Sequence, residues 1–142
     1  MNLTRRDVMA LGAGGAALAM LPLPAAAADQ AALDAAIKKF TGGAATKDGG
    51  VKLTAPEIAE NGNTVPIEVE AEGATEILVL APNNPLPSAF TVSFGQLSGA
   101  SSASTRIRLA GTQDLTAIAK MKDGSFAMAK RTVKVTIGGC GG

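Results

Sequence analysis

The sequence predicts a mainly β protein: an antiparallel β-sandwich with a short N-terminal helix and a flexible C-terminal arm. Three observations carry that expectation. From Val51 onward, apolar residues recur at every second position in about seven short runs, the period of a strand with one dry and one wet face. Clusters of Gly, Pro, Asn and Ser at 61–63, 82–87 and 99–102 separate those runs and turn the chain. Finally, the chain closes on Gly138-Gly139-Cys140-Gly141-Gly142, a stretch with too few side chains to join a core and a high entropic cost of ordering.

Met1–Ala28 reads as a removable export signal. Thr4-Arg5-Arg6-Asp7 forms a twin-arginine start, Val8 to Leu23 is apolar and rich in Gly and Ala, and Ala26-Ala27-Ala28 is a small-residue cleavage site. An apolar run this short, ended by Pro22 and Pro24, is not the pattern of a permanent span. The start is similar to the bacterial twin-arginine signal, Ser/Thr-Arg-Arg-x-Phe-Leu-Lys, with Val8, Met9 and Ala10 replacing its Phe, Leu and Lys. The expected location is therefore the periplasm. Twin-arginine export moves folded proteins, which fits a small domain that crosses already bound to a partner. The expected organisation is a signal at 1–28, a helix plus sandwich at 29–137 and an arm at 138–142.

Gln30 to Phe40 has helical spacing. Leu33, Ile37 and Phe40 share one face, Asp29 is placed to cap the start, and Gly42-Gly43 stops the helix. This helix is expected to pack and not to carry function. Ala44–Gly50 reads as loop. Val51 and Leu53 then start a strand, and Val65, Ile67 and Val69 alternate with Pro66, Glu68 and Glu70. Pro66 marks that strand as an end or an edge, because it has no N–H for a ladder. Ile77-Leu78-Val79-Leu80 is apolar throughout, as in a strand covered on both faces. Phe90, Val92 and Phe94 alternate, as do Thr105, Ile107 and Leu109, with Gln96–Ser104 between them as a flexible loop. Leu115–Met121 and Ser125–Ala129 are joined by Asp123-Gly124, a hairpin signal. Thr132–Ile137 alternates again and ends the fold. Pro82–Pro87, stiffened by three prolines, reads as a rigid connection, with a recognition edge as the alternative. Strand number and spacing give the sandwich an immunoglobulin-like outline.

Composition excludes several functions. The net charge is +1 over 142 residues, and removal of the signal takes Arg5, Arg6 and Asp7 with it. No basic stripe for nucleic acid remains, and no polybasic patch for a membrane surface. Trp and Tyr are absent and Phe occurs only at 40, 90, 94 and 126, so the core is expected to be Val, Ile and Leu. The chain contains no His. No metal site, cofactor site, paired carboxylates, phosphate loop or nucleophile–base pair is legible, so no catalytic residue is assigned.

The single cysteine, Cys140, is the residue with chemistry. The flanking glycines Gly138, Gly139, Gly141 and Gly142 make a thin arm, and at about 3.5 Å per extended residue its sulfur reaches on the order of 10 Å from Ile137. A free thiol has a pKa of about 8.5, and no His stands ready to lower it. The Gly142 carboxylate is a like charge that pushes the other way. Such a thiol is a poor catalyst alone and suits a substrate-bearing protein that partner enzymes act upon. One thiol is too few ligands for zinc.

The Ile137-Gly138-Gly139-Cys140-Gly141-Gly142 end, the preceding strand with its Asp123-Gly124-Ser125 turn, and the twin-arginine start together resemble the SoxY family, over the whole chain. That is the sulfur-carrying subunit of the periplasmic thiosulfate-oxidising (Sox) system. The resemblance implies a non-enzymatic carrier of immunoglobulin-like fold, with Cys140 as the attachment point and no cofactor. It implies SoxZ as heterodimer partner and transient docking to three enzymes. SoxAX, a haem protein, couples thiosulfate to the cysteine; SoxB releases sulfate; SoxCD oxidises the remaining sulfane.

Two rival readings stay open. A ubiquitin-like sulfur carrier also ends in Gly-Gly, but is activated at its terminal carboxylate with ATP, which an exported protein does not meet. A structural exported β-domain would instead use Cys140 for an arm-linked disulfide dimer.

Overall fold

In the computed structural model, which describes residues 25–138, the expected sandwich forms with one helix packed on its outside. Helix α1 spans Ala25–Thr41. It begins before Gln30, so Asp29 lies within it and does not cap it; Ala25–Ala28 are strong helix formers, and nothing there interrupts the helix. Its end is as expected. The Thr41 hydroxyl donates to the Ile37 carbonyl at 3.0 Å and accepts from the Gly43 N–H at 3.2 Å, and Gly42 and Gly43 turn away at φ of 65° and 88°.

Nine strands follow among the described residues: β1 (Thr46–Asp48), β2 (Lys52–Thr54), β3 (Ile58–Ala59), β4 (Val65–Glu70), β5 (Ala74–Leu80), β6 (Ser88–Ser93), β7 (Ser102–Ile107), β8 (Gln113–Met121) and β9 (Phe126–Val135). The larger sheet runs β1-β9-β8-β5-β6, with β3 also on β9; the smaller runs β2-β4-β7.

The apolar run in β5 does what its pattern requires. Ile77 and Val79 enter the core between the sheets, beside Val65, Val69, Leu109, Leu115 and Val133. Leu78 and Leu80 face the other way and pack with Ile118 and Phe126 under Leu33, Ile37 and Phe40 of α1. Phe40 meets Phe126 edge to face, with ring centres 5.9 Å apart and planes at 68°, a favoured aromatic geometry. The helix is therefore a lid on the second face of the large sheet.

The structure corrects five local expectations. First, Ala44–Gly50 is not all loop, since β1 lies in it. Second, the sandwich is not purely antiparallel: β1 pairs in parallel with β9 at 126–128, and β3 at 134–135. Strands of three and two residues are too short to show a period; they form because the outer edge of β9 offers free backbone groups. Third, β4 is the central strand of the small sheet. Pro66 is tolerated because β2 pairs only with Glu68–Glu70, leaving the strand locally open beside it. Fourth, Ser102–Ser104 belong to β7, paired with Glu68–Glu70. Fifth, Phe126–Val135 is a single ten-residue strand, and Ile137 lies beyond it, 65% exposed.

At the β8–β9 turn Gly124 adopts φ 84°. There Asp123 Oδ1 accepts from the Ser125 N–H at 2.8 Å and from its hydroxyl at 2.6 Å. Among the described residues, no helix is long and apolar enough to cross a membrane.

Candidate carrier site at the base of the C-terminal arm

Strand β9 delivers the chain end to one pole of the sandwich, and a ladder of long-range hydrogen bonds receives it. The Lys134 N–H donates to the Glu57 carbonyl at 2.8 Å and the Thr136 N–H to Ala59 at 3.0 Å. The Thr136 hydroxyl reaches the Glu60 carbonyl at 3.1 Å. The Gly62 N–H then donates to the Ile137 carbonyl at 2.7 Å, and the Leu109 N–H donates to the Gly62 carbonyl at 2.8 Å. Gly62 thus joins the chain end to the 108–113 loop.

That loop is itself fixed by two side-chain amides. Asn84 Nδ2 donates to the Arg108 carbonyl at 2.7 Å, and Asn84 Oδ1 accepts from the Ala110 N–H at 2.9 Å and from Gln113 Nε2 at 3.1 Å. Gln113, only 4% exposed, completes its amide by accepting from the Asn83 N–H at 2.9 Å and donating to the Gly111 carbonyl at 3.2 Å. A buried amide this fully paired holds its neighbours in one arrangement. The Pro82–Pro87 segment is accordingly a rigid connection clamped to the 108–113 loop.

Against this loop lies Gly138. A Cβ at that position would stand 2.6 Å from the Ala110 carbonyl oxygen, closer than a carbon and an oxygen can approach. Glycine is needed here for contact with backbone, a role the Gly-Gly pattern alone does not reveal. The other arm residues, Gly139, Cys140, Gly141 and Gly142, lie outside the described residues, as does the expected signal up to residue 24. Sequence reasoning missed Gly62, Asn84, Ala110 and Gln113 as parts of the site. Asn61-Gly62-Asn63 and Pro82–Pro87 read only as turns, and no local pattern announces a contact such as Thr136 to Glu60 across 76 positions.

Among the described residues no group of three or more His, Cys, Asp or Glu is placed to hold a metal. Fold and site together define a class: a helix-backed β-sandwich that grips, at one pole, the root of a single-cysteine terminus. The chain belongs to the SoxY family, whose family model, described as sulfur oxidation protein SoxY, matches residues 37–140 and so ends on Cys140.

The solved structure of the sulfur carrier protein SoxY from Chlorobium limicola f thiosulfatophilum is similar at 33% identity and TM-score 0.66, covering 76% of this chain and 99% of that one. Family and structural likeness together support a sulfur-carrier role. Superoxide reductase (neelaredoxin) from Ignicoccus hospitalis is similar at 16% identity and TM-score 0.51, over 61% of this chain and 80% of that one. This second likeness is one of fold alone. No curated protein matches the chain.

Proposed function

We propose that this protein is a non-enzymatic carrier that bears thiosulfate-derived sulfur on Cys140 in the periplasm, after export by its twin-arginine-type start. The observation that carries the reading is positional. The chain's only cysteine closes the family match and follows two residues after Gly138, where a hydrogen-bonded pole grips the chain. With no His anywhere in the chain to serve as its base, such a thiol suits a protein on which partner enzymes act.

The chemistry balances as two steps. A haem partner of the SoxAX type takes two electrons as the thiol and thiosulfate join, forming an S–S bond and releasing one proton; Cys140 then carries an S-thiosulfonate. A hydrolase of the SoxB type adds water across the terminal sulfur–sulfur bond. Sulfate and one proton leave, and a persulfide, –S–SH, remains on Cys140 for a SoxCD-type oxidation. SoxZ is the expected heterodimer partner. The neutral charge balance and the fully paired polar core suit a domain that is handled by proteins and not by nucleic acid.

Mass spectrometry of the protein from the periplasm of thiosulfate-grown cells tests the reading. Expected are a chain lacking Met1–Ala28 and sulfur adducts confined to Cys140. A thiocarboxylate at Gly142 would instead support the ubiquitin-like mechanism, and an unmodified, disulfide-linked dimer the structural one.

A further inference from the structure

We infer that Gly138 is the seat of the arm and not part of its swing, and that this seat sets where the Cys140 thiol is presented. The inference deepens the carrier reading and rests on it only for its consequence in turnover. Two independent contacts place the seat. The Ile137 carbonyl accepts from Gly62 at 2.7 Å, and the Gly138 backbone lies so close to Ala110 that any Cβ would stand 2.6 Å from its oxygen. Ala110 in turn is held through its own N–H by Asn84 at 2.9 Å. The peptide entering Gly138 is therefore held by a hydrogen bond, and the Gly138 Cα by its close approach to the Ala110 carbonyl.

Glycine at 138 has a different physical reason from glycine in a tether. Its φ is not in the left-handed region, so conformational freedom is not what the position uses. What it uses is the missing Cβ. By contrast, Gly42, Gly43 and Gly124 have nothing within 4 Å of a built Cβ and are required for their positive φ. Counted from Gly138, the chain can carry the Cys140 Cα at most about 7 Å at extended-chain spacing, one residue less than counted from Ile137. A partner's active site must then come to this pole, beside the turn at 61–64 and the loop at 108–112.

The seat can be broken from either side. Gly138→Ala puts the Cβ into the Ala110 carbonyl. Gly62→Pro removes the N–H that holds Ile137 and sets the ring Cδ against the Ile137 carbonyl in its place. The Thr64 N–H closes the 61–64 turn on the Asn61 carbonyl at 3.4 Å. Neither Gly62 nor Asn63 has positive φ, so this is a type I turn, whose second position accepts proline.

The full mature chain, labelled at its one cysteine with a nitroxide through a disulfide, reports the result in amide relaxation. In the unaltered protein the label is expected to broaden the amides of Gly62, Ala110 and Thr112, and to spare Lys122 and Gly124 at the far end of β9. In both variants the broadening at Ala110 and Thr112 is expected to fall severalfold, and at Gly62 in Gly138→Ala as well, since proline at 62 has no amide proton; the hairpin amides and the melting profile should be little changed. For turnover by the thiosulfate-coupling haem enzyme, both variants are expected to raise KM roughly tenfold with kcat near its original value, the mark of lost docking geometry and not of lost chemistry.

Broadening that stays as in the unaltered protein in both variants overturns the seat. A seat lost with KM unchanged overturns its role in presentation. Failure of Cys140 to bear sulfur at all defeats the carrier reading, while the relaxation measurement, which needs no enzyme, still decides the seat.

Discussion

The two ends of strand β9 are built on opposite principles. At its start, the chain reverses through Asp123 and Gly124 mainly on contacts within residues 121–125: the Met121 carbonyl, the Asp123 carboxylate and the Ser125 N–H and hydroxyl, with one long-range bond from the Lys122 N–H to the Gly73 carbonyl at 3.0 Å. At its finish, the chain is held entirely by partners distant in sequence, Glu57, Ala59, Gly62 and, through Asn84, the 108–113 loop. About ten residues of strand, on the order of 30 Å, separate a locally specified turn from a globally specified anchor. A local turn forms wherever its residues occur, whereas the anchor exists only when the whole sandwich has folded. The seat proposed for Gly138 therefore exists only in a finished domain.

Chemistry should divide along the same line. Cys140→Ser is expected to abolish thiosulfate turnover in a reconstituted mixture, with unfolding unchanged, since it exchanges a single side-chain atom outside the described sandwich. Retained turnover would end the carrier proposal and with it the functional distinction between the two ends. Next in size is Asn84→Ala at the anchor pole. It leaves the Ala110 N–H, the Arg108 carbonyl and one Gln113 donor without their partner, and at about 1–3 kcal/mol for such unsatisfied groups it should clearly lower the denaturation midpoint. Gly124→Ala at the hairpin should cost on the order of 1 kcal/mol, the penalty of a left-handed backbone for a residue with a Cβ. Urea unfolding of both variants checks the order. A hairpin variant more damaging than the anchor variant would mean that the local turn, not the long-range network, holds β9.

The same contrast separates what was legible in the sequence from what was not. Patterns confined to a few neighbours were readable: the four apolar residues of β5 covered on both faces, the Leu33–Ile37–Phe40 stripe on the helix, and the Asp123-Gly124 turn. Features defined by distant partners were not. Strands β1 and β3 have no period of their own and exist because β9 has an open edge. Pro66 marked β4 as an end or an edge; it does lie at the strand's start, but only β2, which pairs with 68–70, decides that β4 is central there and open at that end. Ser102–Ser104 looked like loop by composition, yet their backbone completes the small sheet while Ala103 turns inward. At the site, Gly138 looked like one glycine of four. Its close approach to Ala110 depends on where Asn84 and Gln113 hold a loop, and no window of sequence contains all four residues.

The smallest expected effect sharpens the local side of the comparison. Asp123 is fully exposed, yet its carboxyl is held below the usual aspartate range, chiefly by the Ser125 hydroxyl and then by the Ser125 N–H, with the nearby Lys47 charge contributing less. A depressed pKa favours the folded hairpin above the unfolded value, about 3.9 for aspartate, and that contribution fades as pH falls through the lower folded value. The turn should therefore loosen only under acid conditions, and neutral pH should leave it untouched. In Ser125→Ala the backbone donor remains and the hydroxyl is lost, so the Asp123 midpoint should move part of the way back up. An NMR titration following the Gly124 and Ser125 amides reads this directly, and thiosulfate turnover should be unaffected. A midpoint that does not move would show that the hydroxyl contact contributes nothing in solution. The first end of β9 would then rest on its backbone donors, the Ser125 N–H on the Asp123 carboxylate and the Gly124 N–H on the Met121 carbonyl, a local device still.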